Sequence, residues 1–153
     1  MKNLLILITV TTLTFSCNNS KHEHYSAFEK NLKANNHPGK KLMETNCYAC
    51  HSATANEENR LAPPMIAVKM RYLKDNTTKE AFINDLKDWM KNPNAENAKM
   101  YGAVKRFGVM PKQILPDETI EKIGNYIYDY DIEKPDWFDN HYKKMHQINK
   151  NNE

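Results

Sequence analysis

The pentapeptide Cys47-Tyr48-Ala49-Cys50-His51 constrains this chain more than any other feature of its sequence. Two cysteines three positions apart can form thioether bonds to the two vinyl groups of one porphyrin. The histidine that follows directly can bind the porphyrin iron through an imidazole nitrogen. The pattern therefore predicts one covalently bound haem c, held by Cys47 and Cys50, with His51 as an axial ligand of the iron.

Three other uses of a C-x-x-C pair are alternatives to this prediction. A thioredoxin-like redox site follows a strand in a βαβ pattern, and the sequence shows no such alternation. A structural zinc site commonly needs a second pair of ligands, whereas the only other cysteine is Cys17. A disulfide between Cys47 and Cys50 would close a very small, strained loop. Each alternative lacks the features that it needs, and haem is favoured.

The size and the charge of the chain limit the number of domains and the class of partner. A length of 153 residues is enough for one compact domain with tails. The formal charge of +3, from 22 Lys and Arg against 19 Asp and Glu, is too mild to indicate a nucleic-acid partner.

The first residues have the pattern of a targeting segment. Lys2 precedes an apolar run that is shorter than the roughly 20 residues needed to span a bilayer. The run ends in Leu13-Thr14-Phe15-Ser16-Cys17, which resembles the lipobox of bacterial lipoproteins, with departures at two positions. The resemblance implies a signal peptide over residues 1–16 and acyl chains on Cys17. The exported protein would then face the periplasm, anchored in the outer rather than the inner membrane. An ordinary signal peptide with an incidental cysteine is the alternative.

Helical patterns and breaks organise the rest of the chain. Residues 17–37 are polar with a faint helical pattern, and we expect a flexible tether there. Residues 132–153 are a mixed tail. A capping box at Thr77, with Glu80 three residues later, predicts the start of a helix that runs to Lys91. The other expected helices cover 39–46, 65–73, parts of 95–105, and the segment from Asp117 to Tyr130.

An all-helical domain with C-x-x-C-H near its start and Met-Pro shortly before its final helix resembles the class I cytochromes c. The resemblance covers about residues 39–130 and implies an all-α cytochrome c fold, with four to five helices around one haem in a domain at 38–131. In that family a glycine eight residues before the first haem cysteine, here Gly39, lets the first and last helices cross closely. Met43 and Tyr126 occupy the positions of a packing pair at this crossing, and Gly124 is expected to thin it further.

The same resemblance implies the surroundings of the iron. The family has a proline twelve residues after the haem histidine whose carbonyl accepts the imidazole N–H, and Pro63 has that spacing from His51. The family's distal ligand is a methionine about sixty residues after the histidine, and Met110 lies fifty-nine residues after it. Met65 is expected to line the haem pocket. The alternative distal ligands are Met65 itself, Met100, and an imidazole from a folded-back tail, His141 or His146.

The predicted function is electron transfer by a membrane-anchored cytochrome with a single haem, which cycles between Fe(III) and Fe(II) with both axial ligands retained. Its partners would be donor and acceptor redox proteins, and the chain would have no catalytic residues. The alternatives are a haem subunit of a larger oxidoreductase complex, and a sensor or enzyme whose distal ligand is labile. Trp137 and Phe138 either pack onto the domain or form a docking patch. Five basic residues flank the segments that are expected to surround the haem. They either steer acidic partners or belong to an ordinary soluble surface: Lys40, Lys41, Lys105, Arg106 and Lys112.

Overall fold

The computed structural model describes residues 19–150, and over that range it contains seven α-helices and no strand. The all-helical fold class predicted from the sequence is therefore confirmed. The helices are α1 (Asn19–Asn36), α2 (Pro38–Asn46), α3 (Met65–Tyr72), α4 (Lys79–Lys91), α5 (Tyr101–Phe107), α6 (Asp117–Asp129) and α7 (Phe138–Lys150).

Over the described residues the chain divides into two compact units, with the boundary between residues 35 and 36. In the first unit the stretch expected to be a flexible tether forms the regular helix α1. Tyr25, Phe28 and Leu32 lie on one face of α1 at spacings of three and four, and all three are exposed. The predicted signal peptide and Cys17 lie outside the described residues. Among the helices that are described, none combines the length and the apolar character needed to cross a membrane.

In the second unit, helix α6 packs against α2 on one side and against α4 on the other. The crossing with α2 occurs at Gly39, where a Cβ atom would lie 2.0 Å from the carbonyl oxygen of Lys122 and 2.7 Å from the Cβ of Tyr126. Only glycine permits this approach of two backbones. Met43 is 0% exposed and Tyr126 is 3% exposed, so both members of the expected packing pair belong to the core.

The prediction for Gly124 is wrong, because this glycine faces α4 and not α2. A Cβ at Gly124 would lie 2.9 Å from Cγ1 of Ile83 and 3.6 Å from Cδ1 of Leu86. The buried face of α4 consists of these two side chains and Phe82. At the rim, Lys91 pairs with Asp117 at 2.9 Å, and Lys79 pairs with Asp129 at 2.6 Å. The absence of a side chain at Gly124 therefore brings α4 close to the final helix of the core.

The start of α4 is one residue later than the capping box predicted. Thr78 is the N-cap, and its Oγ1 accepts a hydrogen bond from the backbone N–H of Ala81 at 3.2 Å. Thr77 instead closes the preceding turn, where its Oγ1 accepts from the N–H of Lys74 at 3.0 Å. Its carbonyl accepts from the Tyr128 hydroxyl at 3.1 Å. Of the two adjacent threonines, Thr78 thus caps the helix and Thr77 contacts α6.

The segment before α6 contains a short helix and a loop. Helix α5 covers Tyr101–Phe107, so the expected helix over 95–105 forms only in its second half. Gly108 ends it with a φ of 82°, in the left-handed region that favours glycine. The chain then runs without regular structure through Met110 to Pro116, the N-cap of α6.

Candidate functional site

The cysteine pair lies in a turn that continues directly from the end of α2. The N–H of Cys47 donates to the carbonyl of Met43 at 2.8 Å and caps the helix. The carbonyl of Cys47 then accepts from the N–H groups of Cys50, at 3.2 Å, and His51, at 2.8 Å. These bonds coil the whole pentapeptide into one compact turn. Because α2 is fixed against α6 by the crossing at Gly39, the core determines where this turn lies.

The two thiols differ in their exposure. Cys47 is half-buried and Cys50 is exposed, and both are free cysteines. Burial raises the pKa of the Cys47 thiol from 9.0 to about 11. Catalytic dithiols of the thioredoxin type depend on a lowered pKa, because the thiolate is the nucleophile. Burial therefore shifts the pKa of Cys47 in the direction opposite to the one that a redox-active dithiol needs.

His51 is held by two contacts with the segment twelve to fourteen residues later. Its Nδ1 lies 2.7 Å from the carbonyl oxygen of Pro63, and its own carbonyl accepts from the N–H of Met65 at 3.4 Å. A carbonyl can only accept, so Nδ1 carries the proton and Nε2 has the lone pair. Burial lowers the pKa of His51, and the bond to Pro63 partly opposes that shift. The ring is thus a neutral, oriented imidazole with Nε2 able to bind a metal.

Two methionines are the remaining candidates from the sequence. Met65 begins α3 and is 7% exposed, so the residue expected to line the pocket is buried beside the backbone that holds His51. Met110 is half-buried in the loop after Gly108. The structure therefore joins Pro63 and Met65 to His51, while the pairing of Met110 with His51 across an iron stays a prediction.

The donor groups and their neighbours fit a covalent haem. Two free thiols and a neutral imidazole are the groups that hold such a haem, and a methionine thioether is one of the ligands used on its other side. Large apolar side chains next to these groups remain exposed, namely Leu61 at 69%, Val109 at 40% and Ile114 at 92%. They lie in the segments that carry Pro63 and Met110, where a porphyrin would cover apolar surface. A separate cavity of about 340 Å³ contains none of these residues; its lining includes Tyr72, Trp89 and Lys99.

The C-terminal tail contributes a cluster that sequence reasoning did not find. Trp137 donates from Nε1 to the carbonyl of Ala55 at 2.9 Å, and its ring lies 4.6 Å from the guanidinium carbon of Arg60. Phe138 is 5% exposed, which confirms that it packs onto the domain. His141 contacts Glu57 at 2.6 Å through Nδ1. The side chain of His146 lies outside the described residues. Nothing in the local sequence around Arg60 signals these partners, which follow it by about eighty residues.

Two of the five basic residues that flank the haem segments contact acidic side chains or a backbone carbonyl of the domain. Lys40 pairs with Glu44 at 3.9 Å and with Glu133 at 3.5 Å. Arg106 donates to the carbonyl of Glu57 at 3.1 Å. These two cations therefore serve contacts within the fold, and Lys41, Lys105 and Lys112 remain the candidates for a steering role.

A family model described as cytochrome c matches residues 37–130 of the chain. Comparison with curated proteins and comparison with solved structures each returned no match. The matched range begins one residue before α2 and ends one residue after α6, so it contains the cysteine turn, His51, Pro63 and Met110.

Proposed function

The chain belongs to the cytochrome c family, and from this membership we propose that it is a membrane-tethered carrier of single electrons, of the class I type. It binds haem c covalently and takes part in haem-based electron transfer, as the family does. The bound haem supplies the one-electron Fe(III)/Fe(II) couple. The protein is a carrier that exchanges electrons with donor and acceptor proteins, and it performs no catalytic step of its own.

In this proposal, Cys47 and Cys50 hold the haem, and His51 and Met110 are the axial ligands. The observation that carries it is the 2.7 Å contact from Nδ1 of His51 to the Pro63 carbonyl. That contact fixes the ring, leaves Nε2 as the donor to iron and raises its basicity. A thioether from Met110 favours the reduced state and raises the potential. With both ligands bound in both oxidation states, little would have to move when an electron is transferred.

The ligand assignment is tested by two matched methionine variants. Met110→Ala should abolish the weak far-red band of Fe(III)–sulfur bonding and leave the haem covalently attached. Met100→Ala, which changes a methionine at the start of α5, should keep the band. The reverse result would disprove the assignment to Met110, and a high-spin ferric spectrum of the unmodified protein would favour a sensor or an enzyme.

The membrane tether in this proposal is an acylated Cys17 in the outer membrane, facing the periplasm. More than one acyl chain anchors a protein stably, since each buried CH₂ contributes about 0.8 kcal/mol. Helix α1 begins two residues after Cys17 and would connect the anchor to the haem domain. Anchoring raises the concentration of the carrier near membrane-bound partners. Cys17→Ser should release the protein from the membrane fraction, and a variant that stays there would contradict lipid anchoring.

A further inference from the structure

The segment that follows the family match folds back onto the haem domain. Ile132 is 7% exposed and Pro135 is buried, so the chain leaves α6 along the surface of the core. It then brings Trp137 and His141 onto the loop that follows His51, where they contact Ala55 and Glu57. The family model ends at residue 130, so Trp137 and His141 lie outside the range that it matches.

Arg60 is the centre of this arrangement. Its guanidinium carbon lies 4.6 Å from the ring of Trp137 and 5.4 Å from the ring of Phe107. Its Nη1 donates to the carbonyl of Glu57, the same carbonyl that accepts from Arg106. The Nε of Arg60 is buried without a hydrogen-bond partner, which is costly unless other contacts compensate. The two aromatic rings are the compensation, because an arginine between aromatic faces is attracted to both.

Three segments that are distant in sequence thus meet at one side chain. Arg60 belongs to the loop that begins directly after His51. Phe107 is the last residue of α5, three residues before Met110. Trp137 belongs to the C-terminal segment. The contacts of Arg60 therefore join the side of the domain that carries His51 to the side that carries Met110.

We propose that residues 131–141 form a C-terminal clamp which, through Arg60, holds the end of α5 and so keeps the Met110 loop closed. Trp137 and Arg60 are positioning residues in this proposal, because they act on Met110 through Phe107 and the backbone. The effect on the iron rests on the proposed ligation by Met110. The effect on the backbone of α5 does not depend on whether Met110 binds the iron.

The first test measures how readily Met110 is displaced in the ferric holoprotein. Imidazole added to the solution binds the iron only when Met110 has left it, so its apparent affinity is proportional to the open fraction. Trp137→Ala should tighten imidazole binding about tenfold, the size expected for losing one partly buried cation–π contact and one hydrogen bond. Arg60→Ala should give a similar change, and the double variant should add little, because both remove the same contact.

The matched control is Lys134→Ala, which lies in the same segment and removes only the exposed pair of Lys134 with Asp139. Its imidazole affinity should stay within twofold of the unmodified protein. Trp137→Phe keeps a ring over Arg60 and loses the hydrogen bond to Ala55. Its imidazole affinity should therefore lie between those of Trp137→Ala and the unmodified protein. It replaces Trp137→Ala in the test if that variant does not fold. A merely structural tail would lower the free energy of unfolding in Trp137→Ala while changing neither the imidazole affinity nor the hydrogen exchange at the end of α5, and that combined result would overturn the proposal.

A second readout separates the clamp from the ligand assignment. The N–H of Gly108 donates a hydrogen bond to the carbonyl of Val104 at 2.9 Å, and this bond is at the end of α5. Its hydrogen exchange should be about tenfold faster in Trp137→Ala than in Lys134→Ala if the clamp holds this helix end. Equal exchange in the two variants overturns the clamp. Faster exchange without any change in imidazole affinity supports the clamp and contradicts Met110 as the ligand.

Discussion

Replacing Gly39 by alanine is the sharpest perturbation that the helix crossing offers. The new Cβ would lie 2.0 Å from the carbonyl oxygen of Lys122 and 2.7 Å from its carbonyl carbon. Cβ atoms essentially never approach another heavy atom within 3.0 Å, so α2 and α6 must separate by about 1 Å. The obstacle is backbone, which cannot turn aside as the end of a side chain can.

The expected cost follows from two opposing effects. Overpacking of a filled core costs about 1–3 kcal/mol, and a clash between two backbones belongs at the upper end of that range. Alanine in place of glycine in a helix gains up to about 1 kcal/mol. Gly39→Ala should therefore lower the free energy of unfolding by about 2 kcal/mol, measured on the holoprotein in urea.

Two other glycines provide matched controls for this measurement. A Cβ at Gly102 in α5 meets nothing within 4 Å, so Gly102→Ala should be neutral or up to about 1 kcal/mol more stable. A Cβ at Gly124 meets a side-chain atom, Cγ1 of Ile83, at 2.9 Å and no backbone atom among its nearest neighbours, so Gly124→Ala should lie between the other two. The reasoning is refuted if Gly39→Ala is as stable as Gly102→Ala.

Two further predictions concern α4 and its contact with α6. Thr78→Ala should lower the free energy of unfolding in urea by about 1 kcal/mol because it removes the N-cap, and a loss confined to Thr77→Ala would show that the cap is the earlier threonine. The hydrogen bond from Lys91 lowers the pKa of Asp117 below 3.8. The stabilising effect of this pair is therefore present above pH 3.8 and is lost as the pH falls through the lowered pKa. Stability curves of the unmodified protein and Asp117→Asn should therefore converge in acid, and a gap that persists there would contradict this pairing.

Spacing in the sequence was sufficient to predict several features that depend on nearby residues or on a family pattern. The helices of the core follow from the apolar spacing, from the proline before α6 and from the glycine after α5. The distance of twelve residues from His51 to Pro63 predicted the hydrogen bond that the structure contains. Gly39 was expected at a close helix crossing, and the distance of only 2.0 Å that a Cβ there would have to the carbonyl oxygen of Lys122 confirms it.

The remaining features depend on contacts between distant residues, which a single sequence does not encode locally. The hydrogen bond from the Tyr128 hydroxyl to the carbonyl of Thr77, the residue before the N-cap, joins residues 51 positions apart. Gly124 has no sequence signal that distinguishes a partner in α4 from one in α2. The contact between Arg60 and Trp137 joins residues seventy-seven positions apart, and it forms only because the chain turns back after α6.

The central claim is that one haem is bonded to Cys47 and Cys50. It is tested most directly by mass spectrometry of the purified protein from a host that attaches haem c, with fragmentation of the peptide that contains residues 47–51. We expect that peptide to carry the mass of one haem and to lose it in the variant with both cysteines changed to serine. An unmodified peptide from a colourless protein made in that host would contradict the account.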